Sequence, residues 1–221
     1  MALMDELNVL KTKKRAIPFR QYFEEMDMDE EQIEKRVEHS EKLSPILFFI
    51  INLVIIYFEY GRTDYENIVE ELRNNYIEIL GEQGVDIDPN VIDYIERFSQ
   101  DFVDTTVKKV KELDEAGEDI EPGKDFLISD DRADVVAENE ANVIYNFEDF
   151  KDAVKEGKKF KVWVTERDNK VRKTHTVVDG QTIPIDEYFS VGNSYLLYPK
   201  DMSLDPEVEE TANCRCKCIY I

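Results

Sequence analysis

Polar and apolar positions along this chain follow two periods. Up to about residue 155, apolar residues recur three and four apart, as on one face of a helix; beyond 160 they alternate singly, as in a strand. Residues 29–42 read as a charged helix. Ser44 and Pro45 form a cap followed by proline at the first helical position, which predicts a new helix over 45–58. That segment, PILFFIINLVIIYF, is apolar all round, the mark of a helix buried on several sides. Gly61 ends it. Thr63, Asp64 and Glu66 open a helix through Leu80 with Ile68, Leu72, Tyr76 and Ile79 on one stripe. After Gly81 and Gly84, Asp88-Pro89 starts another that runs to about Leu113, with Val91, Ile95, Phe98, Phe102 and Val110 as its apolar face. Residues 114–128, acidic and containing Gly117, Pro122 and Gly123, read as a connector. Ser129 caps a helix through about Tyr145, and Asp130 and Asp131 suit its positive end. Asn146 caps a shorter one over 147–155.

The alternating part begins with Phe160, Val162 and Val164 interleaved with Lys161, Trp163 and Thr165. Residues 167–170 read as a turn. Strands over 174–178 and 181–185 flank Asp179-Gly180, a strong hairpin signal. Short strands follow over 194–198 and 214–221. The expected fold is α+β, a helical N-terminal region followed by a small β-rich C-terminal domain. The expected division is an N-terminal arm (1–27), a helical region with an acidic connector (28–128) and an α+β domain (129–221).

Charge sharpens this division. Residues 158–221 carry ten basic and ten acidic side chains, so residues 1–157 hold all of the net charge of −22. A field of that sign repels nucleic acid over most of the surface. The exception is the run from Lys158 to Lys173, with seven basic and two acidic residues; it reads as a solvated strand and hairpin, or as a patch that meets an acidic partner or a phosphate. The apolar run 45–58 is shorter than the about 20 residues a membrane span needs and is interrupted by Asn52, so it reads as a core or partner-facing helix, with no membrane partner expected. The first residues lack the basic and apolar regions of a secretory signal, and three cysteines crowded near residue 216 do not look like a disulfide framework. A reducing cytosol is the expected compartment.

The rare side chains concentrate late. One of two histidines, all three cysteines and the only tryptophan lie beyond residue 160. On a strand, Cys214, Cys216 and Cys218 would share one face, with neighbouring residues about 6.6 Å apart. They read as small core residues; the alternative is a zinc site in which Cys214 and Cys216 are joined by His175. His175, with Asp168 or Asp179, is a candidate general base; the plainer reading is that it braces the hairpin. Arg172 and Lys173 are candidates for partner or phosphate contact, although Arg172 also reads as an ion-pair partner. On the apolar helix, Phe48, Ile51 and Ile55 are candidate partner contacts. No serine elbow, phosphate-binding glycine loop or paired Cys-x-x-Cys is complete. The chain reads as a non-enzyme with no required cofactor.

Taken in order, Trp163, Asp168, Val171, Arg172, His175, Asp179, Gly180, Pro199, Asn213, Cys214, Arg215 and Cys216 resemble the C-terminal domain of the Mu F-like phage head morphogenesis family. Upstream, residues 132–140 resemble that family's helix with an A-x-x-x-A-R-T-E core, except that Glu138 and Asn139 stand where Arg and Thr are usual. The resemblance covers about residues 132–221. It implies a minor head protein of a tailed phage or prophage, associated with the portal and capsid subunits during assembly and acting by protein–protein contacts. It would reside in the virion head, and in the host cytoplasm during assembly. Weak contact with packaged DNA through residues 158–173, and self-association, are compatible with it. The rival readings are a nucleotide- or nucleic-acid-directed enzyme or toxin-like domain using His175 with Arg172 and Asp168 or Asp179, and a zinc-stabilised binding module.

Overall fold

In a computed structural model, residues 19, 20, 24, 28–212 and 214–221 are described. The arm expected over 1–27, apart from Phe19, Arg20 and Glu24, lies outside them, as does Asn213. Helices dominate the first part: α1 (Glu30–Glu59), α2 (Glu66–Glu82), α3 (Pro89–Ala116) and, after a 3-10 turn at Phe126–Ile128, α4 (Asp130–Lys155). Then come β1 (Phe160–Val164), α5 (Lys173–Val178), β2 (Thr182–Pro184), β3 (Phe189–Val191), β4 (Ser194–Leu196), α6 (Val208–Thr211) and β5 (Lys217–Tyr220). The architecture is α+β. Among the described residues, 38–137 form one compact unit, and those before 38 group with 138–221 in the other.

The helical unit is built on the predicted stripes. Ile68, Leu72, Tyr76 and Ile79 are buried along α2, and Val91, Ile95, Phe102 and Val110 along α3. The Asp88 carboxylate accepts from the N–H groups of Asn90 and Val91, capping α3, and Gly117 ends it in the left-handed conformation. The Ser129 hydroxyl accepts from the N–H of Arg132 at the start of α4. Arg132 donates to Thr106 Oγ1 at 2.8 Å and to the carbonyl of Leu127 at 2.7 Å, its guanidinium over the Phe102 ring, and burial lowers its pKa to about 10.

Two expected helix boundaries are not there. Pro45 lies inside a continuous α1. Proline removes a helical hydrogen bond and typically costs about 3 kcal/mol. Leu43, Leu47, Ile50, Ile51 and Val54 are fully buried on both sides of it, which offsets that cost, and the Ser44 hydroxyl donates to Asp134 instead of capping. α1 is long and apolar enough by composition to cross a membrane; its buried residues are those of a core helix. Asn146 likewise sits inside α4, where its amide donates to the carbonyl of Pro199 at 3.0 Å and accepts from Arg36 at 3.3 Å.

In the second unit, β1 is the central strand of an antiparallel sheet of order β2-β1-β5, with Trp163 opposite Cys218 and Val162 opposite Ile219; β3 and β4 form a separate hairpin. The alternation of β1 is inverted relative to simple polarity: Lys161 and Trp163 face inward, while Phe160 is exposed and Val162 and Val164 half-buried. Trp163 anchors the core with Val178, Phe189, Val191, Leu196, Cys214 and Cys216, and burying an indole outweighs burying a valine. Lys161 tolerates this side because its ammonium donates to the carbonyl of Ile185 at 2.7 Å and lies over the Phe150 and Phe189 rings; burial lowers its pKa to about 8.

The strand expected over 174–178 is helix α5. His175 and Val178, three apart, are buried while Val177 is 81 % exposed, and the Thr176 N–H donates to the carbonyl of Arg172 at 3.0 Å. Asp179-Gly180 therefore joins a helix to β2. The terminal strand begins at Lys217, so residues 214–216 precede it.

Candidate functional site

β1 presents Trp163 to the core, α5 presents His175, and the extended segment 214–216 runs past both. The Trp163 and His175 rings meet edge-on, centroids 5.6 Å apart. His175 Nδ1 lies 3.3 Å from Cys216 Sγ and 3.6 Å from Cys214 Sγ. On the other side of the ring, Nε2 lies 3.1 Å from Glu210 Oε2, which also accepts from the Thr174 hydroxyl at 2.8 Å. His175, Cys214, Cys216 and Glu210 are all buried. Freed from strand geometry, the two sulfurs and Nδ1 come within 4.8 Å of one another, closer than an alternating strand would bring the thiols. Cys218, inside β5, does not join them, and its burial pushes its pKa up to about 12.

The surroundings hold this cluster in place. Gly192, at φ +58, turns the β3–β4 hairpin directly against the Glu210 carboxylate, where any Cβ would collide with it. Arg172 donates to the carbonyl of Ala212, and Arg215 grips Asp168 with two bonds of 2.9 Å. The Arg215 hydrogen bonds lower the Asp168 pKa to about 2. The Asp179 carboxylate accepts from the Thr165 N–H at 2.9 Å and from Arg167 Nε at 2.9 Å, which hold its pKa below the usual value despite burial. The loop 165–172 is thereby clamped to Ala212 and Arg215 beside α5.

Charge is shared within the cluster. Burial is the largest influence on His175 and opposes its protonation, but the hydrogen bond with Cys214 and the negative charge of Cys214 and Glu210 together outweigh it, and its pKa is raised. The Cys214 thiol is lowered, chiefly by its hydrogen bond with Cys216, with His175 and the nearby Lys200 adding to the effect; the Cys216 thiol is raised because it is the partner that keeps its proton. A small pocket lined by Glu166, Lys170, Val171, Arg172, His175, Cys214, Arg215 and Cys216 opens onto the same atoms.

The model of the family described as phage Mu protein F like protein matches residues 101–219, more than half of the chain and all of this cluster. The chain belongs to the phage Mu protein F-like family. With membership goes a role in phage head morphogenesis. No curated protein and no solved structure gives a match.

The Mu F-like residues read from sequence thus separate into groups. Trp163, His175, Cys214 and Cys216 converge; Asp168 with Arg215, Asp179 with Arg167, and Arg172 with Ala212 form the clamp; Gly180, at φ +76, donates its N–H to the carbonyl of Trp163 at 2.8 Å. Val171 lines the pocket. Of the candidate partner contacts, Ile51 and Ile55 are buried and offer no surface, Phe48 and Arg172 are half-buried, and Lys173 is exposed. The basic run is not one patch either, because Lys161 is buried and Arg167 is paired.

Sequence reasoning passed over Glu210, Lys161 and Lys200. Glu210 looked like one more charge in an acidic stretch. Lys200 is fully buried, donates to the Asn139 side chain, and has its pKa lowered to about 8 by burial. Its position directly after Tyr198-Pro199 was the one available signal. Asn139, where relatives are expected to carry threonine, here receives that ammonium.

Proposed function

We propose that this Mu F-like protein is a minor head component that joins the portal and capsid subunits during assembly and acts through protein–protein contacts, not catalysis. The observation that supports this reading is the outer face of the sheet. Because Lys161 and Trp163 turn inward, Phe160, Val162 and Val164 turn outward, beside Ile219 of the neighbouring strand and Ile221 just after it. Phe160, Ile219 and Ile221 are 47 %, 48 % and 55 % exposed, and a contiguous apolar face of this kind marks an interaction surface. The portal is its proposed occupant. The acidic charge of residues 1–157 would keep the protein off packaged DNA, leaving at most weak, salt-sensitive contact through exposed lysines such as Lys159, Lys170 and Lys173.

An enzyme reading draws support from the pocket, which places Arg172 beside His175 with a shifted pKa. Against it, both imidazole nitrogens are engaged, and Asp168 and Asp179 are held by arginines.

Co-purification with the portal protein of the same phage tests the proposal, comparing wild type with Phe160→Asp/Ile219→Asp. Stable binding that the double variant loses, with an unchanged circular dichroism spectrum, is the expected result. Absence of wild-type binding at micromolar concentration, or full binding by the variant, would sink the assignment. Nucleotide and nucleic-acid turnover that disappears in His175→Ala would replace it with the enzyme reading.

A further inference from the structure

The His175 cluster contains an arrangement that hydrogen bonding alone satisfies poorly. A single ring nitrogen carries one lone pair or one proton, yet two sulfurs converge on Nδ1, at 3.3 and 3.6 Å. We propose that His175 Nδ1, Cys214 Sγ and Cys216 Sγ bind one zinc ion, or a similar thiophilic divalent cation.

Three observations support the site. With Zn–S near 2.3 Å and Zn–N near 2.0 Å, a tetrahedral ion holds sulfur and nitrogen about 3.6 Å apart, and the two separations here, 3.3 and 3.6 Å, lie just below that value and at it. The other ring nitrogen faces the buried Glu210 carboxylate at 3.1 Å, the carboxylate–histidine arrangement that fixes the tautomer and orientation of a metal-bound imidazole. Glu210 is itself set by Thr174 and by Gly192, where no side chain fits. Finally, two thiolates, a neutral imidazole and a dication sum to zero charge, which suits a buried position. The fourth coordination position falls to a water or a small external ligand on the side of the pocket lined by Val171 and Arg172. The inference is independent of portal binding.

Cobalt(II) titration of the full chain, purified without metal, tests it by absorbance. One cobalt per chain should bind with a thiolate-to-metal charge-transfer band, displaced by zinc. Cys216→Ser and His175→Asn should abolish the band and Cys218→Ser should keep it. Glu210→Gln retains all three ligands and should bind about 10- to 100-fold more weakly, so it serves even if a ligand variant fails to fold. No band from folded wild-type protein would overturn the site. So would a band that Cys218→Ser abolishes, or an affinity unchanged in Glu210→Gln.

Discussion

The chain has two histidines, one in each compact unit, and burial drives both toward the neutral state. They end with opposite preferences. In the helical unit, His39 is fully buried against the Tyr76 ring, with Nδ1 2.8 Å from the uncharged Gln83 amide; burial dominates and its pKa falls to about 4. In the β-containing unit, His175 is buried as deeply, but thiols and a carboxylate face its two nitrogens and its pKa rises. Depth sets the cost of charge; the groups within bonding distance decide whether that cost is met. The first unit uses its histidine as a neutral core residue beside an uncharged amide, and the second builds a polar cluster around one.

The largest test of this contrast removes the indole beside His175. Trp163→Ala should cost about 3–5 kcal/mol, read from urea midpoints, and hydrogen exchange should locate the loss in the second unit. An equal loss of protection in α2 and α3 would mean the two units unfold as one. Acid should act on the other unit. Below pH 6.5 the unfolded chain binds a proton that buried His39 refuses, so stability falls as pH drops from 6.5 to about 4, by about 2–3 kcal/mol. His39→Asn should flatten that slope; a slope that persists would assign the window to other groups. Gly192→Ala should cost about 1–3 kcal/mol, from its positive φ and the collision with Glu210, and should shift the His175 imidazole resonances. The smallest effect belongs to the rim: Asp168→Asn loosens a partly exposed ion pair and should shift the urea midpoint least of these variants, and less still in high salt.

Local chemistry was the legible part of the sequence. Asp88 and Ser129 cap helices because a short side-chain oxygen beside unsatisfied N–H groups has one favourable use, and the α2 stripe follows from one buried face. Pro45 and Asn146 misled because their local meaning was overridden at a distance, by apolar burial on both sides of Pro45 and by the carbonyl of Pro199. The five residues of α5 nearest its C-terminal end alternate too weakly to separate strand from helix; the three-residue spacing of His175 and Val178 becomes decisive only once Val177 is seen to face solvent. Within the site, the rarity of histidine, cysteine and tryptophan marked the right segment. Glu210 could not be found that way, because its role comes from a contact 35 positions along the chain with His175.

Trp163 carries one more consequence. It is the only tryptophan, and it sits edge-on to His175 within the thiol cluster. Selective indole excitation therefore illuminates the Mu F-like core and leaves the helical unit dark. Imidazole and thiol neighbours quench such emission, so native protein should be dim and brighten on denaturation, giving this half of the molecule an optical signal of its own.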